Sequence, residues 1–318
     1  MITVPEPAGP GAFVHPAFFY EDFEGYAAGV GAFVGAAVSA GEPVLVAVPG
    51  PRLDDLRESL GRNAEGVTWT DMTELGRNPG RILAALRDFA DLHVSRPARI
   101  VGEPIWPGRS PAEVLEATRH EALINTAFAG RPATVLCPYD VRGLAPEVLA
   151  DARRTHPTLI EGGSDLPNPA YTDAARVSAD CDRPMPEPGG DVHRFAYAQG
   201  GLAEVREYAA AWARGTALSA ARRGDLVLAV SEAAANSLSH GGGKGTLRLW
   251  TTVGPGAGVV AEIHDAGRLA DPLAGRRRPS LASANGGRGL WMIHQLCDLV
   301  EVRALPEGFT LRLHMTTP

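Results

Sequence analysis

"SEAAANSLSHGGG", Ser231 to Gly243, decides how the second half of this chain folds. Alanine and serine dominate it, which favours a helix, and a histidine followed by three glycines ends it. Glu232, Asn236 and His240 recur four residues apart and so share one helical face. Leu226, Leu228, Val230, Ala233 and Leu238 supply apolar surface on other parts of the same helix. Asparagine is a below-average helix former, so Asn236 in a helix interior asks for a reason other than helix stability. Taken alone, the polar stripe reads as a solvated face. The segments downstream change that reading.

Around this helix the order of elements is legible. A strand "HRFAYAQ" (193–199) and a helix near Leu202–Gly215 precede a second helix from about Leu218 to His240. Two strands, "TLRLWTTV" and "GVVAEIHD", follow across a Gly-Pro-Gly turn. A polar loop, the helix "GLWMIHQLCD" and a hairpin turning at "PEG" complete the half. Two-residue alternation in "TLRLW" and "TLRLHM" predicts strands with one buried and one wet face, hence an antiparallel or mixed sheet with helices on one side. The first half alternates differently. Strand-like "EPVLVAVPG", "GVTWTDM", "ARIVGEP" and "ATVLCPYD" are separated by helical runs of 10–20 residues, which predicts a largely parallel sheet covered on both faces. Between the halves, Glu161 to His193 is dense in Pro, Gly, Asp and Ser and has no apolar periodicity. The expected organisation is a domain over 1–160, a linker over 161–192 and a second domain over 193–318.

Bulk properties fit two globular domains: 318 residues, 45% hydrophobic and 21% charged. The net charge of −7 argues against DNA as a principal partner. Cys137, Cys181 and Cys297 lie far apart with no CxxC pair, which argues against a disulfide framework and fits a reducing cytoplasm. The N-terminus has no basic flank followed by an apolar run, so no signal peptide is expected. The longest apolar stretch, "AAGVGAFVGAAVSAG" (27–41), falls short of the about 20 residues a membrane span needs. The expectation is a cytoplasmic protein with no membrane partner.

Two further segments bear on the opening helix. Asp265 closes the strand "GVVAEIHD" and is followed by Gly267, which lets the chain turn sharply and another group approach closely. In "NGGRGLWMIHQL" (285–296) a glycine cluster opens directly into a helix, leaving unpaired N–H groups and a positive dipole end for an anion. The spacing is neither that of a P-loop nor that of a Rossmann fingerprint. Taken together and in this order, the three segments resemble the N, G1 and G2 boxes of the GHKL ATP-binding superfamily, which includes gyrase, a heat-shock chaperone, histidine kinases and a mismatch-repair ATPase. The likeness is to the anti-sigma-factor serine kinase branch and covers about His193 to Met315.

The resemblance implies a C-terminal GHKL (Bergerat) α/β sandwich with ATP and Mg2+ as cofactors. Asn236 would be the Mg2+ ligand and Glu232 the catalytic base or water-positioning carboxylate. Asp265 would accept the adenine exocyclic amine, Gly267 would make room for the base, and Gly287, Arg288 and Gly289 would wrap the phosphates. The segment Asp271 to Gly286 would be a lid. One departure stands out: where the family G1 box commonly reads D-x-G-x-G, the second glycine is Leu269 here, which bears on turnover more than on binding. No long helix carrying a phosphoacceptor histidine is expected upstream, so histidine phosphorylation is not expected.

In the first half, "HPAFFYEDFEGYAAGVGAFVGAAVSAGEPVLVAV", "HEALINTAFAG", "VLCPYD" and "RTHP" resemble the MEDS (DcmR-type sensory) domain over about Val14 to Ile160. That domain is thought to sense small hydrocarbon derivatives or related signals and is distantly like RecA-type cores, which implies a mostly parallel three-layer fold. No GxxxxGK[ST] follows "VLVAV", so nucleotide hydrolysis is not expected in this half. His15, Tyr20, Glu121, Cys137 and His156 form the candidate sensory site, with Glu21, Tyr139 and Asp140 the other polar residues in these motifs. A His/Cys/Glu group suggests metal or ligand binding, yet the spacing is not that of a ligand motif. The plainer reading makes His15 and His156 hydrogen-bonded structural histidines and Cys137 a small buried hydrophobe.

The expected function is that of a bacterial signalling regulator. Its sensory domain, with a small-molecule ligand, would control an ATP-binding domain that sequesters a sigma factor or phosphorylates serine on an anti-anti-sigma (STAS) partner. A non-catalytic nucleotide-stabilised binding module and an atypical sensor histidine kinase are the alternatives. Relatives of this type are often homodimers, although no coiled-coil heptads mark one here.

Overall fold

The computed structural model describes residues 12–161, 164–254, 256–279 and 287–317. The chain divides into two compact units after Ser178. Among the described residues no helix is long and apolar enough to cross a membrane.

The first unit runs β1 (Phe13–Val14), β2 (Pro16–Tyr20), α1 (Phe23–Ser39), β3 (Val44–Val48), α2 (Gly50–Leu60), β4 (Thr68–Asp71), α3 (Met72–Leu75), α4 (Ile82–Leu92), β5 (Ala98–Gly102), α5 (Pro111–Ala127), β6 (Ala133–Asp140), α6 (Pro146–Thr155), β7 (Thr158–Glu161) and β8 (Ser164–Pro167), and α7 (Ala174–Asp180) crosses the division between the units. The strands order as β4-β3-β5-β6-β2-β7-β8, with β1 pairing β6 ahead of β2. All pairings are parallel except β7 with β8. Strands β3 and β5 are buried along their whole length, as a parallel sheet covered on both faces requires. On one face Val44, Val46, Val48 and Leu136 pack with Tyr26, Val30, Leu53 and Leu56 of α1 and α2. Cys137, one residue on from Leu136 and so on the opposite face, meets Glu121 of α5. The first unit is therefore the expected three-layer, mostly parallel α/β fold.

The second unit runs β9 (His193–Ala198), α8 (Leu202–Ala213), α9 (Ala220–His240), β10 (Lys244–Thr252), β11 (Gly258–Asp265), α10 (Arg288–Leu296), β12 (Leu299–Leu305) and β13 (Gly308–Thr316). Its strands order as β12-β13-β11-β10-β9, all antiparallel. The turn between β10 and β11 falls where expected, although its central Pro255 lies outside the described residues. One sheet face carries Leu247, Leu249, Ala261, Ile263, Leu311 and Leu313 against Val205, Leu226, Val230, Ala233 and Ile293 of the three helices. The sandwich with helices on one side is as the alternation predicted. Leu228, expected on the apolar surface, is exposed. At about 100° per residue it lies on the side of α9 opposite Leu226 and Val230.

Two expectations need correction. The other sheet face is not simply wet. Across β9, β10, β11, β13 and β12, register places Arg194, Arg248, Glu262, Arg312 and Glu301 in one row. Arg248 pairs with Glu262 at 3.0 Å and Arg312 with Glu262 at 2.6 Å, and Glu262, Arg312 and Glu301 are all buried. Nor is 161–192 a plain linker. Part of it forms β8 at the sheet edge and α7, whose Val177 packs with Ala122 of α5. Further on, the chain lies over the charged face: Arg303 donates to the Arg183 carbonyl, Arg312 to that of Pro186, and the Ala304 amide to Asp182. Charged cross-strand rows satisfied by a covering segment leave no apolar period for a sequence reading to detect.

Candidate functional site

The opening helix is α9. Ser219 caps its start by accepting from the Arg222 amide, and Leu226, Val230, Ala233 and Leu238 bury it on the sheet. That packing leaves Glu232 and Asn236 half-buried and His240 exposed along the remaining stripe. The Asn236 amide nitrogen is buried without a hydrogen-bond partner, an arrangement that costs stability unless something else binds there.

Helix α10 is held against α9 by Arg222, which donates to the Leu296 carbonyl at the end of α10 (2.7 Å) and to Asp298 (2.6 Å). This docking brings Gly289 onto the polar stripe. A Cβ at Gly289 would lie 2.9 Å from Glu232 Oε2 and 3.3 Å from Asn236 Nδ2. Gly287 takes a left-handed φ of 84° and serves as N-cap, so α10 opens its N–H groups beside Asn236. Asn285 and Gly286, and the lid residues from 280 onward, lie outside the described residues.

Asp265 ends β11 with its side chain buried, and its Oδ1 accepts from the Gly267 amide at 2.7 Å. The end of α9 passes so close that a Cβ at Gly241 would sit 2.5 and 2.6 Å from the Asp265 oxygens. A Cβ at Gly267 would lie 3.0 Å from the Gly241 Cα and 3.1 Å from the His240 carbonyl. Gly241 is thus a site residue that sequence reading counted only as a helix stop. These segments enclose a cavity of about 240 Å³ lined by Asn236, Asp265, Gly267, Leu269, Gly287 and Gly289, among others. Leu269 also packs against the core, so the residue that replaces a glycine forms an apolar wall of the cavity.

The donor set suits a magnesium nucleotide. It combines a carboxamide whose nitrogen has an unmet N–H to offer an anion and whose oxygen can ligate a cation, a helix N-terminus for phosphate, and a fixed carboxylate beside an apolar wall. Gly241, Gly267 and Gly289 stand where a side chain would fill the space between the segments. His240 lines the same cavity.

In the first unit, the structure brings four of the five expected sensory residues together. His15 lies just before β2, Glu121 in α5, Cys137 in β6 and His156 just after α6. His15 Nε2 is 3.0 Å from Glu121 Oε2 and 3.3 Å from Cys137 Sγ, and His156 Nε2 is 3.4 Å from the same Glu121 oxygen. All four are at most 2% exposed. Burial pushes His15 down to about 4, despite the opposing pull of Glu121. Burial works against ionisation of Glu121, but His15 and His156 beside it outweigh that and hold the carboxyl below its usual range. Burial and the Glu121 charge push the Cys137 thiol up.

Tyr20 is elsewhere. At the carboxyl ends of β2 and β5 it joins Tyr26, Arg52 and Glu103. The Arg52 guanidinium reaches Glu103 (2.6 Å) and the Tyr20 hydroxyl, while the Tyr26 hydroxyl donates to Glu103 at 3.1 Å. Burial pushes the Glu103 carboxyl up to about 7, although Arg52 opposes it. Sequence reading missed Arg52 and Glu103. The one signal was a lone acid directly after the fully buried strand "ARIVG". Glu21 is exposed and pairs with Arg142. Asp140 approaches Arg52 at 3.4 Å.

Residues 14–157 match the family model described as MEDS, the methanogen/methylotroph DcmR sensory domain, and residues 195–315 match the histidine kinase-like ATPase domain. No curated protein matches the chain. A sensory-type domain joined to a kinase-like ATPase domain is the make-up of a signalling regulator. The chain thus carries a MEDS domain over residues 14–157 joined to a histidine kinase-like ATPase domain over residues 195–315.

Proposed function

We propose that the second unit binds Mg-ATP and transfers phosphate to a seryl hydroxyl of a STAS-type anti-anti-sigma partner, or holds a sigma factor, under control of the first unit. The observation that carries this reading is the meeting of Glu232 and Asn236 with Gly289 at the start of α10, beside a cavity that holds Asp265. When bound, Mg-ATP supplies the transferable phosphoryl group. The Asn236 carboxamide oxygen would hold the cation, a hard ion that needs only one protein oxygen besides phosphates and waters. The amides at Gly287 and Gly289 would face the phosphates. Asp265, fixed by the Gly267 amide, would accept the adenine amine, with Leu269 against the ring. Glu232 Oε2 would take the proton of the seryl hydroxyl, and positioning and charge neutralisation would do the rest.

The element before β9 supports serine over histidine as acceptor. Among the described residues it is α7 (Ala174–Asp180), too short for a phosphoacceptor dimerisation helix. The test is a pair of variants assayed with a STAS-domain protein as phosphate acceptor. Glu232→Gln should keep ATP and lose phosphoserine formation, and Asn236→Ala should lose Mg2+-dependent binding. Undiminished transfer by Glu232→Gln removes Glu232 from its role. Leu269 favours one second reading, a nucleotide-stabilised binding module without turnover, because its side chain fills space that a glycine would leave open. ATP binding without transfer to any partner would select that reading.

A further inference from the structure

The cluster under β2 and β6 has a chemistry that the nucleotide site does not use. His15, Glu121, Cys137 and His156 each offer one ligand atom, and these atoms all lie within 4.8 Å of one another. The second nitrogen of each ring is already engaged. His15 Nδ1 faces Asn125 Oδ1 at 3.0 Å. The Asn125 amide nitrogen donates to the carbonyls of Glu121, Ala122 and Thr155, which fixes its oxygen toward the ring. His156 Nδ1 lies 2.8 Å from the Ala152 carbonyl, which can only accept. Both rings therefore carry their proton on Nδ1 and turn a bare Nε2 inward. Two imidazole lone pairs, a carboxylate and a sulfur converge; the Cys137 S–H lies among them and the Tyr139 hydroxyl lies beside Glu121. The His156 Nε2 and the second oxygen of Glu121 are buried without a hydrogen-bond partner. Four buried electron-pair donors facing one another repel unless a proton or a metal cation lies among them.

The spacing sets which cation. Metal bonds of about 2.0–2.3 Å give tetrahedral ligand–ligand edges of roughly 3.3–3.8 Å. The edges from His15 Nε2 to Glu121 Oε2 and Cys137 Sγ are 3.0 and 3.3 Å, those from Glu121 Oε2 to His156 Nε2 and Cys137 Sγ are 3.4 and 3.5 Å, and the two remaining edges, from His156 Nε2 to His15 Nε2 and Cys137 Sγ, lie within 4.8 Å. We propose that His15 Nε2, Glu121 Oε2, Cys137 Sγ and His156 Nε2 form a tetrahedral site for a divalent transition metal of the zinc class.

Mixed nitrogen, sulfur and oxygen ligands suit zinc and exclude the all-oxygen preference of magnesium or calcium. Uptake exchanges the Cys137 thiol proton, released to solvent, for a metal–sulfur bond. The dication, the thiolate and the carboxylate then sum to zero charge, which a fully buried site needs. Asn125 and the Ala152 carbonyl are the outer partners that orient the two rings. The metal would tie together the start of β2, α5, β6 and the end of α6, four elements that the sequence scatters between positions 15 and 156.

The test uses the intact chain, stripped with a chelator and titrated with Co2+ alone. The expected result is one ion per chain, with a thiolate-to-cobalt absorption in the near ultraviolet and strong tetrahedral bands in the visible, both displaced by Zn2+. Cys137→Ser should lose the thiolate band, while Cys181→Ser and Cys297→Ser keep it. Asn125→Ala, which leaves all four ligands in place, should weaken Co2+ binding by about 10- to 100-fold. The wild-type spectrum decides the matter even if a ligand variant fails to fold. No thiolate band at saturating Co2+, or a band that survives in folded Cys137→Ser, overturns the proposal and leaves a proton-shared cluster.

Discussion

Asp265→Asn separates what the Asp265 carboxylate does for the fold from the adenine contact proposed for it. One oxygen, Oδ1, accepts from the Gly267 amide at 2.7 Å, and an asparagine oxygen can keep that bond. The other carboxylate position becomes an amide that donates, facing an adenine amine that also donates. A hydrogen bond to a charged acceptor contributes about 1.5–3 kcal/mol. Its loss corresponds to roughly 10- to 150-fold weaker ATP binding. The new donor suits the guanine carbonyl, so the preference for ATP over GTP should shrink or reverse. Calorimetric titration with each nucleotide reads both effects, and thermal unfolding without nucleotide should give the wild-type midpoint. ATP affinity within twofold of wild type in a variant of unchanged stability would refute the assignment of Asp265 to the base.

Three other outcomes follow from the same geometry. Gly241→Ala forces a Cβ to within 2.5 and 2.6 Å of the Asp265 oxygens, so it should cost about 1–3 kcal/mol in thermal or denaturant unfolding and abolish ATP binding. Gly224→Ala, also on α9 but with nothing within 4 Å of the added carbon, should instead stabilise by about 0.5–1 kcal/mol, and a loss of stability there would show that the helix is misplaced. Glu103 is held up to about 7, above its unfolded value of about 4.3, so the folded first unit carries an extra proton between those pH values. Its contribution to stability is full below about pH 4.3 and declines as pH rises through 7; relative to Glu103→Gln, the wild-type unfolding midpoint should fall over that window, and parallel curves would contradict the shift.

The second unit was legible because its strands alternate and its site is made of short motifs in a fixed order. Glu232, Asn236, Asp265 and Gly289 could be named only together, because their segments in this order resemble the GHKL boxes; singly each reads as a wet helix stripe, a turn or a capping loop. Gly241 escaped because its necessity lies in how closely α9 passes Asp265, a tertiary distance with no local signature. In the first unit the parallel strands stood out as apolar runs. Strand β2, "PAFFY", was missed because it follows directly on β1 and leads into α1 with only two residues between. Tyr20 was grouped with His15 because they are near in sequence. They are five residues apart along an extended strand, and Tyr20 belongs instead with Arg52 and Glu103 at the strand ends. The His15, Glu121, Cys137 and His156 grouping has no ligand spacing to read, since parallel crossovers separate its members by whole βα units. The residues over 161–192 looked like a linker because β8 and the segment over the charged face are held by hydrogen bonds to and from the backbone, and the apolar packing of α7 through Ala174 and Val177 is too short to show a period.

Calorimetric titration of the intact chain with ATP, with and without Mg2+, bears most directly on the second unit's function. The expected result is binding that Mg2+ strengthens and that Asn236→Ala reduces to the Mg2+-free level. No heat of binding at millimolar ATP in the presence of Mg2+ would contradict it.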